Sequence, residues 1–401
     1  MVENATAPNL WPPPPVFIWH VRLKVFSTDS NLDHLSGVWQ ELAAAAVGRS
    51  YIHLWPWHRA YLNALAPEDE NLVYAAIYDG ETCVALLPLV QHPIRVAGLE
   101  LAALSLPTHD HVPHADILIR PDYVPRLSWP WLQRALVEQV APFDVLQLEP
   151  VLSDSGATAV LLANRPRLAM SEVIGASDAL PTGSYEALLA KLSRNFRGNL
   201  RKARNKLEQY GSAARVTHAP SDTVLTDAFS AFLALEASGW KGRAGSSTAI
   251  SLAPRLRDFY RQIVESLGSS GVCAIHLLWL KDKPIAAQLS LTVAERCYLL
   301  KIGYDETHAH LAPGNLLLER LLTAYDKHPV VKYVDLVSDA DWHTSWKPEV
   351  RAVFRHLLFC PTPRGIFAWA ALQGKAPLRR LRDNLKVRLK QAVMAFRISP
   401  L

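Results

Sequence analysis

The feature that most constrains this chain is an order of elements that occurs twice. In the first 150 residues, Phe17–Phe26 alternates as a strand and Leu32–Val47 reads as a helix. A second helix starts near Pro56. Two apolar runs, NLVYAAIYDG and ETCVALLPLVQ, then meet at Asp79-Gly80, a strong hairpin signal. Short strands to about Ile119, a helix near 129–140 and a buried strand at 144–150 complete the set. The second pass has helices near 222–238 and 253–267, then strands at 272–280 and 284–293 joined through Lys281–Pro284. A strand at 297–304, a helix from Pro313 and a strand at 330–337 close it. The order recurs and the sequence does not, which predicts two related α+β halves. The Ser/Ala/Gly/Pro-containing stretch 151–183 reads as the connection between them.

The 401 residues suit two domains at a prior of ~150 each. Half the residues are hydrophobic and a fifth charged, enough for two cores and unlike a disordered or fibrous chain. No apolar run approaches the ~20 residues of a membrane-spanning helix. The start, Pro-rich over residues 1–16, lacks the basic and apolar regions of a signal peptide. Cys83, Cys273, Cys297 and Cys360 are scattered with no C-x-x-C. That argues against a disulfide framework or structural zinc and for a cytoplasmic location.

The net charge of +5 is unevenly spread. Residues 191–206 hold seven Lys/Arg and no acid, and residues 376–401 carry a net +6. Removing both segments leaves −8. The first is an amphipathic helix that Ser193 can cap. Phe196, Leu200, Ala203 and Leu207 form its apolar stripe, and Arg194, Arg197, Arg201 and Arg204 a basic one. Such a stripe is either a solvated face or an anion-binding one, arginine being suited to bidentate phosphate contact. The second, 376–398, sets Leu378, Leu381, Leu385, Leu389 and Phe396 near one face of a basic helix. It can pack on the domain or lie on an anionic membrane surface or a membrane-bound synthase.

Two segments carry candidate chemistry. In the first, a strand ending at Tyr304 leads through a short loop to Pro313-Gly314-Asn315, which opens an apolar helix. Proline suits a first turn, glycine lets a ligand approach, and the exposed N–H groups suit a pyrophosphate. In the second, the 330–337 strand runs into a loop holding Asp339, Asp341, His343 and Lys347, titratable groups at a strand's C-terminal end. Thr108-His-Asp-His-Val-Pro-His-Ala-Asp116 has metal-ligating residue types, but its spacing matches no ligand set. It reads as a structural or cleft-lining loop, with no metal expected. No G-x-S-x-G and no Cys–His signature supports a hydrolase. Among the twelve tryptophans, Trp240 and Trp342 could stack a sugar near a cleft, and core packing suits most of the others.

SRNFRGNLRKARNKL (193–207), LEASGWKGRAGSS (235–247), KPIAAQLSL (283–291) and LKIGYDETHAHLAPGNLLLE (300–319), in that order, resemble the Fem-like branch of the GNAT acyltransferases. The nearest likeness is to the acetyltransferase family linked to bacterial cellulose and exopolysaccharide synthesis. The motifs lie within roughly 185–350, and the likeness extends weakly over 30–150. The glycine-rich pyrophosphate loop of most GNAT proteins is absent, as it is throughout the Fem-like branch, whose true ligases use aminoacyl-tRNA.

The resemblance implies tandem GNAT-like halves, each a mixed twisted sheet flanked by helices. The first, degenerate, spans 1–165, the second, catalytic, spans 180–360, and a basic C-terminal helix lies within 361–401. It implies direct transfer from acetyl-CoA or another acyl-CoA to an amine or hydroxyl of a cell-envelope or exopolysaccharide-related acceptor. Pro313, Gly314 and Asn315 would take the pyrophosphate. Backbone N–H groups near Ile302, Gly303 and Tyr304 would polarise the thioester carbonyl. Asp339 and His343 are the candidate general bases, with Glu236 in reserve. Trp240, Lys241, Trp342 and Lys347 would contact the acceptor. Two alternatives stand beside this one: a Fem-type aminoacyl-tRNA-dependent transferase, and a non-catalytic assembly subunit on the same fold. The expected location is cytoplasmic, with the inner-membrane surface as a peripheral site.

Overall fold

The computed structural model describes residues 21–27, 32–67, 71–239, 242 and 246–374. The first half runs β1 (Val21–Ser27), α1 (Leu32–Ala45), α2 (Trp55–Ala64), β2 (Leu72–Asp79), β3 (Thr82–Val96), β4 (Leu99–Ser105), β5 (Leu118–Ile119), α3 (Trp129–Gln139), β6 (Val145–Leu152), α4 (Gly156–Asn164) and β7 (Ala169–Pro181). The second runs α5 (Tyr185–Lys191), α6 (Arg194–Glu208), β8 (Ala214–Ala219), α7 (Leu225–Glu236), α8 (Pro254–Gly268), β9 (Cys273–Leu280), β10 (Lys283–Val293), β11 (Arg296–Tyr304), α9 (Pro313–Ala324), β12 (Tyr333–Asp335) and β13 (Glu349–Phe359). A further helix, α10, covers 363–374. The hairpin expected at Asp79-Gly80 is present. Asp79 pairs with Thr82, and Gly80 supplies the positive φ (58°) that a two-residue hairpin turn requires.

All strands among the described residues join one mixed sheet in the order β1-β2-β3-β4-β6-β13-β7-β12-β11-β10-β9-β8, with β5 paired to β3. Each half is an antiparallel meander followed by one parallel strand after a helix. β4 pairs with β6 through Ala103–Ser105, and β11 pairs with β12 through Arg296–Tyr298. The last strand of each half is exchanged. β7 pairs with β12 of the second half, β13 pairs with β6 of the first, and the two pair with each other. Residues 151–183 are therefore not an open connection. They form α4 and the 13-residue β7, both of whose edges are paired inside the sheet. The expected strand 330–337 shortens to Tyr333–Asp335. The basic C-terminal segment 375–401 lies outside the described residues, as do Trp240 and Lys241.

Helices cover both faces of the sheet. In the first half, α1 and α2 bury Leu35, Trp39, Leu42 and Trp55 against one face, and α3 and α4 bury Leu132, Leu136 and Leu161 against the other. In the second half, α7 and α8 bury Phe232, Phe259 and Ile263 on one face. On the other face α6 and α9 bury Leu200, Leu318 and Leu321. Each such side chain contributes roughly 1.5–3 kcal/mol by leaving water. The halves lock together where Trp57, Ala60 and Tyr61 of α2 enter the α7/α8 core. Arg255 of α8 donates to the carbonyls of Ala64 (2.8 Å) and Ala66 (2.6 Å), satisfying the C-terminal end of α2.

Candidate functional site

β11 and β12 are paired only as far as Tyr298 and Asp335. Beyond that point β11 continues to Tyr304 along β10, and among the described residues no strand pairs with its other edge. Leu300 is an unpaired bulge residue, between Leu299 opposite Ser290 and Lys301 opposite Leu289. The Asp305 N–H donates to the Ile285 carbonyl (2.9 Å). Antiparallel alternation then makes 287/303 the next pair that exchanges bonds with β10. The N–H groups of Ile302 and Tyr304 therefore point to the open edge, and that of Gly303 points to β10. A Cβ on Gly303 would lie 3.3 Å from the Glu236 Cα, so α7 packs directly on this stretch.

α9 starts beside the same opening. Asp305 holds the connecting turn through bonds from the Thr307 N–H (3.0 Å), the Thr307 hydroxyl (2.6 Å) and Lys283 (2.7 Å). Burial alone would raise its carboxyl; Lys283 and Thr307 outweigh that and hold it below the ordinary carboxylate range. Ala312 takes a left-handed conformation (φ 48°), and Pro313 begins the helix. The Leu316 N–H closes the first helical bond onto Ala312, so the N–H groups of Gly314 and Asn315 have no intrahelical acceptor. A Cβ on Gly314 would meet only the Tyr304 ring, at 3.8 Å. This helix start has room in front of it and two N–H groups aimed outward, an arrangement suited to a phosphate.

The loop after β12 closes the other side. A 3₁₀ turn, Asp341–Trp346, places its residues very differently. Asp339, Asp341 and Lys347 are exposed, Trp342 is 39% exposed, and His343 and Trp346 are buried. Trp346 packs edge-on against Phe196 of α6 and donates its indole N–H to the Asn315 Oδ1 (3.1 Å). The Pro-Gly-Asn helix start and the His343 loop, widely separated in sequence, are thereby pinned together. His343 Nδ1 lies 2.8 Å from the Asp178 Oδ2, and the Trp342 ring stands edge-on over its imidazole (4.2 Å between centroids). Asp178 belongs to β7, contributed by the other sequence half. Its backbone N–H bonds the Ser338 carbonyl and its carbonyl accepts from the Leu336 N–H.

Glu236 ends α7 buried, its carboxylate accepting from the Ile250 N–H (2.9 Å). Asp335, fully buried at the last β11–β12 pair, accepts from Ser177, Val337, Arg296 and Arg351. Burial pushes its carboxyl upward, against the pull of the arginines. Arg351 also grips Asp154 (3.0 Å), tying β13 to the end of β6. The basic stripe on α6 is partly used internally. Arg204 pairs with the buried Glu319 (3.2 Å), and Arg197 donates to the Leu189 and Ala190 carbonyls at the end of α5. Arg194, Arg201 and Lys202 are exposed.

In the loop 108–116, Asp116 accepts from the N–H groups of Ile117, Gly156 and Ala157 and lies 3.2 Å from His53. His111 approaches the Tyr260 hydroxyl of α8 (3.4 Å), and Val112 joins the core shared by the halves. Among the described residues, no three His, Cys, Asp or Glu side chains are grouped to hold a metal ion, and no helix is long and apolar enough to cross a membrane.

Sequence reasoning missed Asp178, Asp335, Arg351 and the role of Trp346. Asp178 and Arg351 lie on the exchanged strands and Asp335 ends β12, so nothing in their local pattern announces which strand will adjoin them. Trp346 carried a signal, a tryptophan closing a polar loop, that could have marked it as an anchor.

Residues 194–347 match the family described as "Acetyltransferase (GNAT) domain". No curated protein matches the chain. Among solved structures, FemX resembles it with a TM-score of 0.54 at 10% identity, over 86% of this chain and 100% of that one. A conserved protein of unknown function from Bacteroides thetaiotaomicron VPI-5482 does so with 0.50 at 12% identity, over 84% and 100%. A tandem GNAT protein from the clavulanic acid biosynthesis pathway is similar at 0.43 and 16% identity, over 84% and 98%. The chain thus has the mixed sheet flanked by helices that the sequence led us to expect, and its second half carries the match to the acetyltransferase (GNAT) domain.

Proposed function

We propose that this chain is an acyl-CoA-dependent acyltransferase that passes an acyl group directly to an amine or hydroxyl, without a covalent enzyme intermediate. The observation that carries the reading is the gap between β11 and β12, with the start of α9 beside it and the GNAT match spanning both. Acyl-CoA would bring the activated thioester. Gly314 and Asn315 would receive the pyrophosphate on their N–H groups. The outward N–H groups of Ile302 and Tyr304 would stabilise the charge that develops on the carbonyl oxygen, a contribution worth several kcal/mol when the donors are preorganised. Gly303 allows α7 to pack at this point and does not itself donate to the open edge.

An acceptor ammonium must lose a proton before it can attack, and an attacking amine or hydroxyl gives up a further one as its bond to the carbonyl carbon forms. His343 is the base we favour over Asp339 and Glu236. Asp339 is exposed, and Glu236 is engaged with Ile250. Trp342, exposed beside His343, suits a sugar face, which supports a saccharide acceptor of the cell-envelope or exopolysaccharide kind. Exposed Lys347 would serve a charged group on it. Trp240 and Lys241 remain acceptor candidates on sequence grounds.

A second reading, an aminoacyl-tRNA-dependent transferase, is favoured by the exposed Arg194, Arg201 and Lys202 and weakened by the internal use of Arg197 and Arg204. Titration calorimetry with acetyl-CoA and with charged tRNA separates the two. Binding and turnover of acetyl-CoA support the first reading, tRNA alone the second, and neither points to a non-catalytic assembly role.

A further inference from the structure

We infer that Asp178, carried across from the first sequence half on β7, is the positioning residue that makes His343 a general base. The inference rests on the acyltransfer reading above. Three observations carry it. The Asp178 carboxylate is buried, and among the described residues its only side-chain contact is His343 Nδ1, at 2.8 Å. A buried carboxylate needs a donor, and that donor here is an imidazole N–H. The Asp178 backbone N–H and carbonyl are bonded to Ser338 and Leu336, which ties strand β7 to the start of the loop that carries His343. Finally, His343 Nε2 has no hydrogen-bond partner among the described residues, while Trp342 and the Trp346–Asn315 bond fix the loop around it beside the start of α9.

Together these set the tautomer. A carboxylate accepting at Nδ1 keeps the proton there and leaves the Nε2 lone pair available. As the acceptor nitrogen or oxygen bonds to the thioester carbon, Nε2 takes its proton. The carbon–sulfur bond breaks, and the departing CoA thiolate takes up a proton that restores neutral His343. The imidazolium formed in between is stabilised by Asp178, which does not itself become protonated. Strand exchange thus makes the site a product of both halves, and residues 180–360 alone lack a part of it.

The test begins with Asp178→Asn, which preserves shape but lets the amide donate to Nδ1 and favour the wrong tautomer. Turnover should fall at least about tenfold with KM for acetyl-CoA unchanged. In a His343→Ala background the same change should cost nothing further, because Asp178 acts only through the imidazole. Asp178→Glu should restore part of the loss. Nitrogen NMR of ¹⁵N-histidine-labelled full-length protein gives a readout that needs no activity: His343 should show a protonated Nδ1 and a bare Nε2, lost in Asp178→Asn. Full turnover in Asp178→Asn, losses that multiply in the double mutant, or a protonated Nε2 in the unaltered protein would each overturn the pairing. If the unaltered protein transfers no acyl group from acetyl-CoA, the acyltransfer reading falls, and the imidazole spectrum still decides the pair.

Discussion

The two halves meet the same junction and treat it in opposite ways. In each, a parallel pair of strands opens after three residues: β4 from β6 beyond Ser105, β11 from β12 beyond Tyr298. In the second half the helix follows promptly, β11 ending at Tyr304 and α9 starting at Pro313 with small residues at its tip. In the first half α3 does not start until Trp129, and the intervening chain fills the opening. The Leu106 N–H bonds the Gln147 carbonyl, the Ala115 N–H bonds the Pro150 carbonyl, and Ile117 to Ile119 are buried. The α3 tip is Trp-Pro-Trp, with Trp129 buried in the apolar core. One architecture can therefore be left open or filled, and the residues between strand and helix decide which.

A second contrast sharpens the first. Two buried histidines each lie beside a buried aspartate, one pair within the first half and one formed across the halves. In the first, Asp116 is saturated by three backbone N–H groups, two of them at the start of α4, and His53 Nδ1 accepts from the Ser50 N–H. In the second, His343 Nδ1 is hydrogen-bonded to Asp178, whose carboxylate takes no other side-chain partner among the described residues, whereas His53 Nε2 stands 3.2 Å from Asp116 without a hydrogen bond. The first pair is built as a brace, and the second is the one we propose for catalysis.

The largest effect expected from this contrast is catalytic. His343→Ala should lower turnover by ~10²–10⁴ and leave acetyl-CoA affinity intact. His53→Ala should leave the turnover of the folded protein near that of the unaltered chain. Steady-state kinetics with parallel calorimetry decides it, and equal catalytic losses at the two positions would erase the distinction.

Next in size is a stability effect of opposite polarity. Asp116→Ala should destabilise the fold by about 3 kcal/mol, because it strips the α4 start of charge-assisted bonds. Asp178→Asn should cost clearly less. Urea denaturation of both variants measures this, and a larger loss at Asp178 would recast that residue as structural.

Acid should weaken both halves, the first more. Burial drives His58 and His114 in the first half, and His276 in the second, down to about 3. The unfolded chain protonates these histidines near 6.5 and the folded chain does not, so stability is full above 6.5 and is lost as pH falls from there toward 3. Each contributes up to about 1.4 kcal/mol per pH unit in that window. Hydrogen exchange at pH 7 and pH 5 should show protection falling first around His58 and His114. Uniform stability from pH 7 to pH 5 would contradict their neutral burial.

Much of this was legible in the sequence because it was local. The Asp79-Gly80 turn, the Ser193 cap with its stripe of Phe196, Leu200, Ala203 and Leu207, and the Pro313 helix start are decided by a few adjacent residues. The pairing of β7 with β12 and β13 was not legible. It depends on which of several apolar strands meets which, an outcome of long-range packing that no short window contains. The same limit hid Asp178, whose meaning appears only when His343, 165 positions away, arrives beside it.

The smallest expected effect isolates the donor end of the comparison. An alanine at Gly314 would make only an ordinary contact with Tyr304, at 3.8 Å, so the fold has no need of glycine here. What a larger side chain would obstruct is the approach of a ligand to the Gly314 and Asn315 N–H groups. Gly314→Val should therefore weaken acetyl-CoA binding at least tenfold, ~1.4 kcal/mol, with an unchanged melting temperature. Gly314→Ala should lie between valine and the unaltered chain. The α3 tip of the first half, already blocked by tryptophan, supplies the control: Trp131→Gly should not create a second binding event. Should Gly314→Val bind as tightly as the unaltered protein, the open tip of α9 is not where the pyrophosphate rests, and the difference between the two helix starts has a cause other than the donor.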